Sequence, residues 1–493
     1  MQTAIVTIQT LSPSGHGIAD NGWYILGAFP GDVIKAGQYK FAEGISYAEI
    51  LEIITPSEHR NHTPDESPYF DPNAPWQYLN KNQEDIEKLR IVKDIFQQHN
   101  IELCHSGLDP ESSEYYSRFR LGGRNDNTLD SSDNTLDHND NTLDHNDNTL
   151  DSSDNILDCN DKPLLQDHYR NKAAYAFTVD KFDNLTFALF TRGVSQKGKI
   201  TQTENILVHS MINKIGKQFL HFFNQRNVPL KTLKYLTLRY SYHTNTVVAH
   251  ILVTETSRKK LPWKKSDLET FQNQHTSLRG IAVSHSEQNK RSSTVTKDFY
   301  ITGDVVITEM ILGKTYIYHP SQFFQIYPDA FGQILTDCSN IVSNIPNHNK
   351  YELLDFFAGI GIIGLHLADL VHSVHGVEQS SQAGKYARRN AKDNGIENFS
   401  FTEANVDTAL EYIKQNQILV VDPARSGMTT KSLEKIADVQ PEYIIYISCN
   451  PETQADDYLQ LQSLYDIEWS RVYNLFPKTP HVEHVIFLKR KTN

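Results

Sequence analysis

The sequence predicts an α/β protein in three parts: a doubly wound, mostly parallel sheet at the C-terminal end, a small β-barrel at the N-terminal end, and a mainly antiparallel β region between them. Three observations carry this. From about residue 321 apolar, strand-like runs alternate with helical stretches, the pattern of a sheet covered by helices on both faces. Residues 1–57 alternate short apolar runs with glycine turns (AIVTIQTL, GWYILGAFPGDVI, YAEILEII), as a small barrel does. Residues 168–320 are rich in Tyr, Thr, Val and Phe (LTFALF, TLRYSY, VVAHILV, DVVITEMIL), which favours antiparallel strands.

The domains that follow are 1–57, 58–320 and 321–493, with an insertion in the second at about 106–162. Residues 78–103 read as a helix, because Ile86, Leu89, Val92, Ile95 and Phe96 recur at helical spacing among Lys, Glu and Gln. Residues 124–158 are five consecutive heptads: RNDNTLD, SSDNTLD, HNDNTLD, HNDNTLD and SSDNILD. Each offers one reliable apolar position (Leu129, Leu136, Leu143, Leu150, Leu157) and lacks the second seam residue of a coiled coil. Asn, Asp and Ser favour turns, so a disordered, low-complexity tract is expected. These heptads hold −9 of the chain's formal charge of −13, which leaves −4 for everything else. The acidity therefore says little about the functional surface.

With 493 residues, 39% hydrophobic and 22% charged, a globular multidomain chain is expected. No run of about twenty apolar residues occurs, and MQTAIVTIQTLSPSG lacks a basic segment followed by an apolar one; a cytoplasmic protein without a membrane partner is the expectation. Cys104, Cys159, Cys338 and Cys449 lie far apart, with no CxxC or CxxH. That spacing gives no local metal motif and no disulfide framework, so no metal is expected.

The strongest local signal is YELLDFFAGIGIIGLHLA, residues 351–368, where a strand runs into Gly359, Gly361 and Gly364 and then a helix. This is a Rossmann-like turn for a dinucleotide or for S-adenosylmethionine. Asp355 favours the second, because a carboxylate repels a pyrophosphate and attracts an ammonium and a sulfonium. Glu378 closes the next apolar run and suits the ribose hydroxyls of either ligand. On the loop alone a nicotinamide-dependent oxidoreductase stays open.

Two more strands end at the same edge, where doubly wound sheets bind ligands. ILVVDPARSGM presents Asp422, Pro423 and Arg425; a plain helix cap is the alternative for Asp422. Amino-group methylating enzymes carry Asn-Pro-Pro-aromatic here, so DPAR argues against an amine acceptor. YIIYISCNP puts Cys449 just past a buried strand and ahead of Asn450 and Pro451. Most free cysteines are small core residues, but this one is placed as a nucleophile. Uracil carbon 5 is an acceptor that needs a thiol, since thiolate addition at carbon 6 turns the ring into an enolate. A base must then take the carbon 5 proton. Glu483, just ahead of the strand VIFLKR, offers that base, an exposed ion pair being its ordinary alternative. His481 and His484 flank it as weaker candidates.

At this point the blocks QFFQIYPDAFGQI, LLDFFAGIGIIGL, GVEQSSQAGKYARRNAKDNGIENFSF, VVDPARSG, YISCNP and FPKTPHVEHVIFL, in this order, closely resemble the RNA 5-methyluridine methyltransferases. VTIQTLSPSGHGIADNGWYILGAFPGDVI, ending in PSEHR, resembles a TRAM domain, an OB-type barrel that binds RNA. HYRNKAAYAF, from His168, resembles the opening of the family's central domain. The resemblance implies a methyltransferase that uses S-adenosylmethionine on a looped or unpaired uridine, with ribosomal RNA favoured over transfer RNA. It implies Cys449 as nucleophile, Glu483 as base, and Asp422 as a hydrogen-bond partner of the uracil ring beside the cofactor. Gln325 would help hold substrate and cofactor, Glu378 the ribose, and the loop from Asp355 through Phe357 and Gly359 to Gly361 the methionine end. Arg170, Lys172, Arg192, Lys197, Lys199 and Arg239 are candidates for flanking RNA, with Lys35 and Lys40 the few lysines of the barrel.

The chain departs from the family pattern in three places. Where many members carry three cluster-binding cysteines, this chain reads SPYFDPNAPWQYL, with Ser67, Asp71 and Asn73 to Pro75 in their place, so no iron-sulfur cluster is expected. Tyr327 replaces the usual Asn after the motif glutamine, and Ala358 a common cysteine. An RNA-binding assembly factor without activity is the rival these departures suggest, and retention of Cys449 and Glu483 speaks against it. A monomer is the default.

Overall fold

The structure, a computed structural model, describes residues 2–42, 44–61, 74–103, 167–190, 199–201, 204–287, 295 and 297–492. The insertion expected at 106–162 lies outside the described residues, as do Ser67, Asp71, Asn73, Cys104, Cys159, Arg192 and Lys197.

Strands β1 (Thr3–Leu11), β2 (His16–Ala19), β3 (Trp23–Leu26), β4 (Val33–Ala42) and β5 (Ile45–Thr55) close into a barrel in the order β1-β2-β3-β5-β4. Closure removes the free edges, and Val6, Ile8, Ile25, Ile34 and Ala48 fill the interior. Buried Asp32 fastens the chain as it leaves, accepting from Phe29 N (2.7 Å) and Ser57 N (2.8 Å) and pairing with Arg60 (2.7 Å). A carboxylate tolerates such burial when donors surround it.

Helix α1 (Lys81–Gln98) begins at Asn80, whose side chain accepts from Gln83 N (2.8 Å), as an N-cap does. Its inward face differs from the one the apolar spacing predicts: Ile86 is 50% exposed, whereas Glu84 and Lys88 are buried with Ile91, Val92, Ile95 and Phe96. Polar partners on a neighbouring segment, described below, draw these two charges inward. Although α1 falls in the stretch assigned to the central domain, it packs in one core with Leu354, Phe356, Leu419, Val421 and Tyr446 of the C-terminal sheet.

The central sheet contains β6 (Lys172–Val179), β7 (Leu185–Phe190), β8 (Lys199–Thr201), β9 (Leu233–Ser241), β10 (Thr246–Val253), β11 (Leu278–His285) and β12 (Lys297–Gly303), in the order β12-β11-β10-β9-β6-β7-β8. All pairs are antiparallel except β10 with β11, which α3 (Lys265–Gln274) connects. That helix and α2 (Ser210–Gln225) bury Phe219, Phe223, Leu268 and Phe271 in the same core as Phe187, Leu236 and Ile251. One RNA-contact expectation is overturned here: Arg239 is fully buried and its guanidinium donates to Pro320 O (3.2 Å) and Gln322 O (2.7 Å). It braces the chain entering the C-terminal domain. Lys172 lies close to it, pushed down to about 8 by burial and by the Arg239 charge.

After the hairpin β13 (Ile307–Ile311) and β14 (Lys314–Tyr318) comes α4 (Pro328–Asn344). Then follow β15 (Glu352–Phe356), α5 (Ile362–Leu367), β16 (Ser373–Glu378), α6 (Ser381–Asp393), β17 (Phe399–Glu403) and β18 (Gln417–Val421). The chain ends with α7 (Thr430–Val439), β19 (Tyr443–Ser448), α8 (Pro451–Leu461), β20 (Tyr465–Tyr473) and β21 (Glu483–Arg490). The sheet order is β17-β16-β15-β18-β19-β21-β20, parallel except for β21, which runs against both neighbours. The order reverses between β15 and β18, so a crevice opens beyond their C-terminal ends.

Candidate active site

Beyond β15 the chain turns through Phe357 (φ 62°), Gly359 (φ 54°) and Gly361 (φ 86°) into α5. Glycine adopts such backbone freely and phenylalanine at a cost. Neighbours hold the turn: Ala358 N donates to Val377 O (3.1 Å) and Gly359 N to Glu378 Oε2 (3.3 Å). The other oxygen of Glu378 accepts from Ser380 N (2.9 Å). Turn and carboxylate are thus joined before any ligand arrives.

Asp355 is buried beneath the turn. Its Oδ2 accepts from Gly364 N (3.0 Å), while Oδ1 is buried without a partner. Burial pushes its carboxyl up to about 7, against the Gly364 hydrogen bond and with help from the Asp422 and Glu378 charges. A buried acceptor lacking a donor, in a cleft with two more carboxylates, calls for a cationic donor. The ammonium of S-adenosylmethionine meets that need; a pyrophosphate does not. The residues present therefore fit this cofactor.

Gly364 must remain glycine for the same reason. A Cβ there would lie 2.8 Å from Asp355 Oδ2 and 2.9 Å from Val374 Cγ1. Gly364→Ala is expected to displace the carboxylate and weaken S-adenosylmethionine binding by about tenfold or more, measured by titration calorimetry.

The other wall of the crevice carries the candidate reactive residues. Ser448 pairs with His484 across β19 and β21, so one step further this register brings Cys449 level with Glu483. Cys449 is a free, half-buried thiol. Burial pushes it up to about 11, the Glu483 and Asp422 charges add to this, and Arg425 acts in the opposite sense. Burial, followed by the Asp422 charge, holds Glu483 well above the usual carboxylate range. Asp422 is pushed up to about 7, again by burial. Two neighbouring carboxylates do not both ionise readily, and a carboxylate with a raised pKa is a stronger base.

Several residues that hold this wall had no such role assigned from the sequence. Asn450 Nδ2 donates to Arg425 O (2.8 Å), as does Thr453 Oγ1 (3.2 Å), which ties the Asp422 loop to the Cys449 loop. Asp457 accepts from Met428 N (2.8 Å) and Tyr446 OH (2.7 Å). Gln454 donates to Tyr446 O (3.0 Å) and His484 O (3.3 Å), clamping β19 to β21. A signal existed: Gln454 and Asp457 stand three apart, amid the apolar Ala455 and Tyr458 of α8. His484 is itself fully buried, pushed down to about 3 by burial, with Nδ1 2.6 Å from Gln454 Oε1. It is a neutral structural group, whereas His481 is exposed and lies edge-on to Phe476.

Gln325 is buried and its backbone oxygen accepts from Asn171 Nδ2 (3.1 Å). Its segment reaches the cofactor turn where Ser380 Oγ donates to Gln322 Oε1 (3.3 Å). Tyr327 is fully buried with its ring 5.1 Å from that of Tyr169, so this departure from the family pattern is a packing residue.

Fold and cleft together define a methyltransferase of the S-adenosylmethionine-dependent class, with a thiol and two carboxylates at its mouth. The chain belongs to the tRNA (uracil-5-)-methyltransferase family, whose profile matches residues 138–491. It is accordingly an RNA (uracil-C5)-methyltransferase. An uncharacterised RNA methyltransferase of Bacillus cereus is 25% identical over 99% of this chain and 97% of its own. Another, from Caldanaerobacter subterraneus, is 30% identical over 65% of this chain and 72% of its own. Among solved structures, the Pyrococcus abyssi tRNA (uracil-54, C5)-methyltransferase, in complex with S-adenosyl-L-homocysteine, shares the fold with a TM-score of 0.69 at 19% identity, over 98% of this chain and 100% of that one. Among the described residues no helix is long and apolar enough to cross a membrane.

Proposed function

We propose that the chain methylates carbon 5 of one uridine in large-subunit ribosomal RNA through a transient bond between Cys449 and carbon 6. The observation that carries the chemistry of this reading is the register of β19 and β21, which sets Cys449 level with Glu483 at the edge of the sheet that also bears the buried, unpartnered Asp355 oxygen; the choice of ribosomal RNA rests on the likeness of the N-terminal region to a TRAM domain. The Cys449 thiol loses its proton to water and the thiolate adds to carbon 6, sending the ring's π electrons toward oxygen 4. Asp422 holds the ring by a hydrogen bond. When bound, S-adenosylmethionine supplies a methyl group on a sulfonium, held by Asp355, Glu378 and the turn from Phe357 to Gly361, with Gln325 beside it. The Glu483 carboxylate then takes the carbon 5 proton, the C–H electrons re-form the ring double bond, and the thiolate leaves with the C–S electrons.

A thiol pushed up to about 11 is mostly protonated near neutrality. Raising the pH raises the thiolate fraction, so adduct formation with RNA containing 5-fluorouridine is expected to quicken about tenfold per pH unit between about 7 and 9. A flat profile, measured by rapid quench and denaturing gels, contradicts a thiolate that forms only at attack.

The barrel favours RNA binding through the exposed Lys40, which lies over the half-exposed Tyr47 ring (5.3 Å), a pair suited to bases and backbone; the buried His16 stands edge-on behind that ring. A transfer RNA uridine is the second reading, favoured by the likeness to the Pyrococcus abyssi enzyme, which spans the barrel as well. Nucleoside mass spectrometry of separated ribosomal and transfer RNA, with and without the gene, decides between them. Loss of 5-methyluridine from neither fraction overturns both.

A further inference from the structure

We propose that the buried Glu84–Lys88 pair of α1 is a positioning device for Glu483: it clamps the connection that delivers the base and so governs proton removal from carbon 5. This rests on the reading of Glu483 as that base. β20 ends at Tyr473 and β21 begins at Glu483, so the base stands where a nine-residue connection, 474–482, meets the sheet. The shape of that connection decides where the carboxyl group sits.

Two side chains one helical turn apart hold it at alternate residues. Lys88 Nζ donates to the Asn474 side-chain oxygen and to Phe476 O (3.0 Å). Asn474 Nδ2 donates to Glu84 Oε1 (3.0 Å) and Asp85 Oδ1 (2.9 Å), and Lys478 N donates to Glu84 Oε1 (2.9 Å). Glu84 and Lys88 pair at 2.7 Å, with side chains 1% exposed each. Other parts of the chain grip the same stretch: Trp76 N donates to Lys478 O (3.1 Å) and Tyr169 OH to Pro477 O (3.1 Å). On the strand side, His484 is fixed by Gln454.

Stability alone does not explain the pair. Apolar residues of similar volume often serve a core as well as a buried ion pair, and Glu84 Oε2 is left buried without a partner. What the charges supply is direction, a donor and an acceptor aimed along the connection. The reaction separates this role from general support. Attack by Cys449 and uptake of the methyl group precede any use of Glu483, while transfer of the carbon 5 proton to its carboxylate, with expulsion of the thiolate, depends on it. A misplaced carboxylate slows the last step, and the methylated adduct accumulates.

The test uses the full chain with Glu84→Met and Lys88→Met combined, which removes both charges and keeps volume. The probes are total RNA from cells lacking the gene, with labelled S-adenosylmethionine, and the same RNA bearing 5-fluorouridine. The expected result is adduct formation with the fluorinated RNA, and kcat/KM for ordinary RNA, within about twofold of wild type, so that KM for RNA falls in step with turnover because the slowed step follows capture. Turnover on ordinary RNA falls about tenfold or more, with a protein–RNA adduct visible on denaturing gels. Normal turnover overturns the proposal. So does a parallel fall of adduct formation and turnover, the mark of a merely structural role. If the double variant does not fold, Asn474→Ala is judged by the same two rates. Absence of the fluorinated adduct in wild type is a different failure, since it removes the underlying nucleophile-and-base reading and this proposal with it.

Discussion

Cys449→Ala is expected to abolish methylation, with a loss of at least about 10⁴-fold in turnover. Without a nucleophile at carbon 6, carbon 5 never becomes an enolate carbon, and no residue of the crevice replaces the sulfur. Cys338, the other free cysteine among the described residues, is fully buried, with its thiol pushed far up by burial. Methylation is followed by labelled methyl incorporation into RNA lacking the modification, and adduct formation by trapping on 5-fluorouridine RNA. Both signals should vanish, while binding of S-adenosylmethionine stays within about threefold, because the Asp355 turn follows β15, which β18 separates from β19. Residual methylation near the wild-type rate would falsify the covalent route.

The second large effect comes from Glu483→Gln, which keeps the shape of the side chain and removes its basicity. Turnover is expected to fall by about 10² to 10⁴, the usual worth of a positioned base. In this variant the block comes after methyl transfer. Ordinary uridine RNA, which wild type releases, should therefore remain bound to Cys449 as a methylated adduct that survives denaturation. Mass spectrometry of the linked peptide reads this directly. A variant that loses turnover without holding RNA would show that Glu483 acts before or during attack. The raised carboxyl of Glu483 fits the late role, since burial and the Asp422 charge make it readier to take a proton than an exposed glutamate.

The candidate site was largely legible from local pattern. Asp355, Asp422 and Cys449 each stand at or just beyond the end of an apolar run, and a parallel sheet aligns such ends along one edge. Glu483 was legible because a carboxylate just ahead of an apolar strand needs a reason to be there. Where reasoning by spacing failed, tertiary partners had changed the meaning of a residue. Ile86 fits an apolar stripe but faces outward, since Glu84 and Lys88 find partners in residues 474–478. Arg239 looks like an RNA contact, yet it is buried on carbonyl oxygens of the segment leading to Gln325. His484, a candidate base by its neighbourhood, is a buried neutral group.

By itself the sequence determined the barrel, the alternation of strand and helix, the glycine turn and which residues are candidates for the reactive groups. These rest on periodicity, on backbone freedom and on chemistry carried within a few residues. Only the tertiary structure decided that β21 runs against β19 with Glu483 at the level of Cys449, and that α1 lies on the C-terminal sheet and holds the approach to Glu483. Such pairings join residues up to several hundred positions apart. They depend on which surfaces bury each other and which buried polar atoms find partners, and no local pattern carries that information.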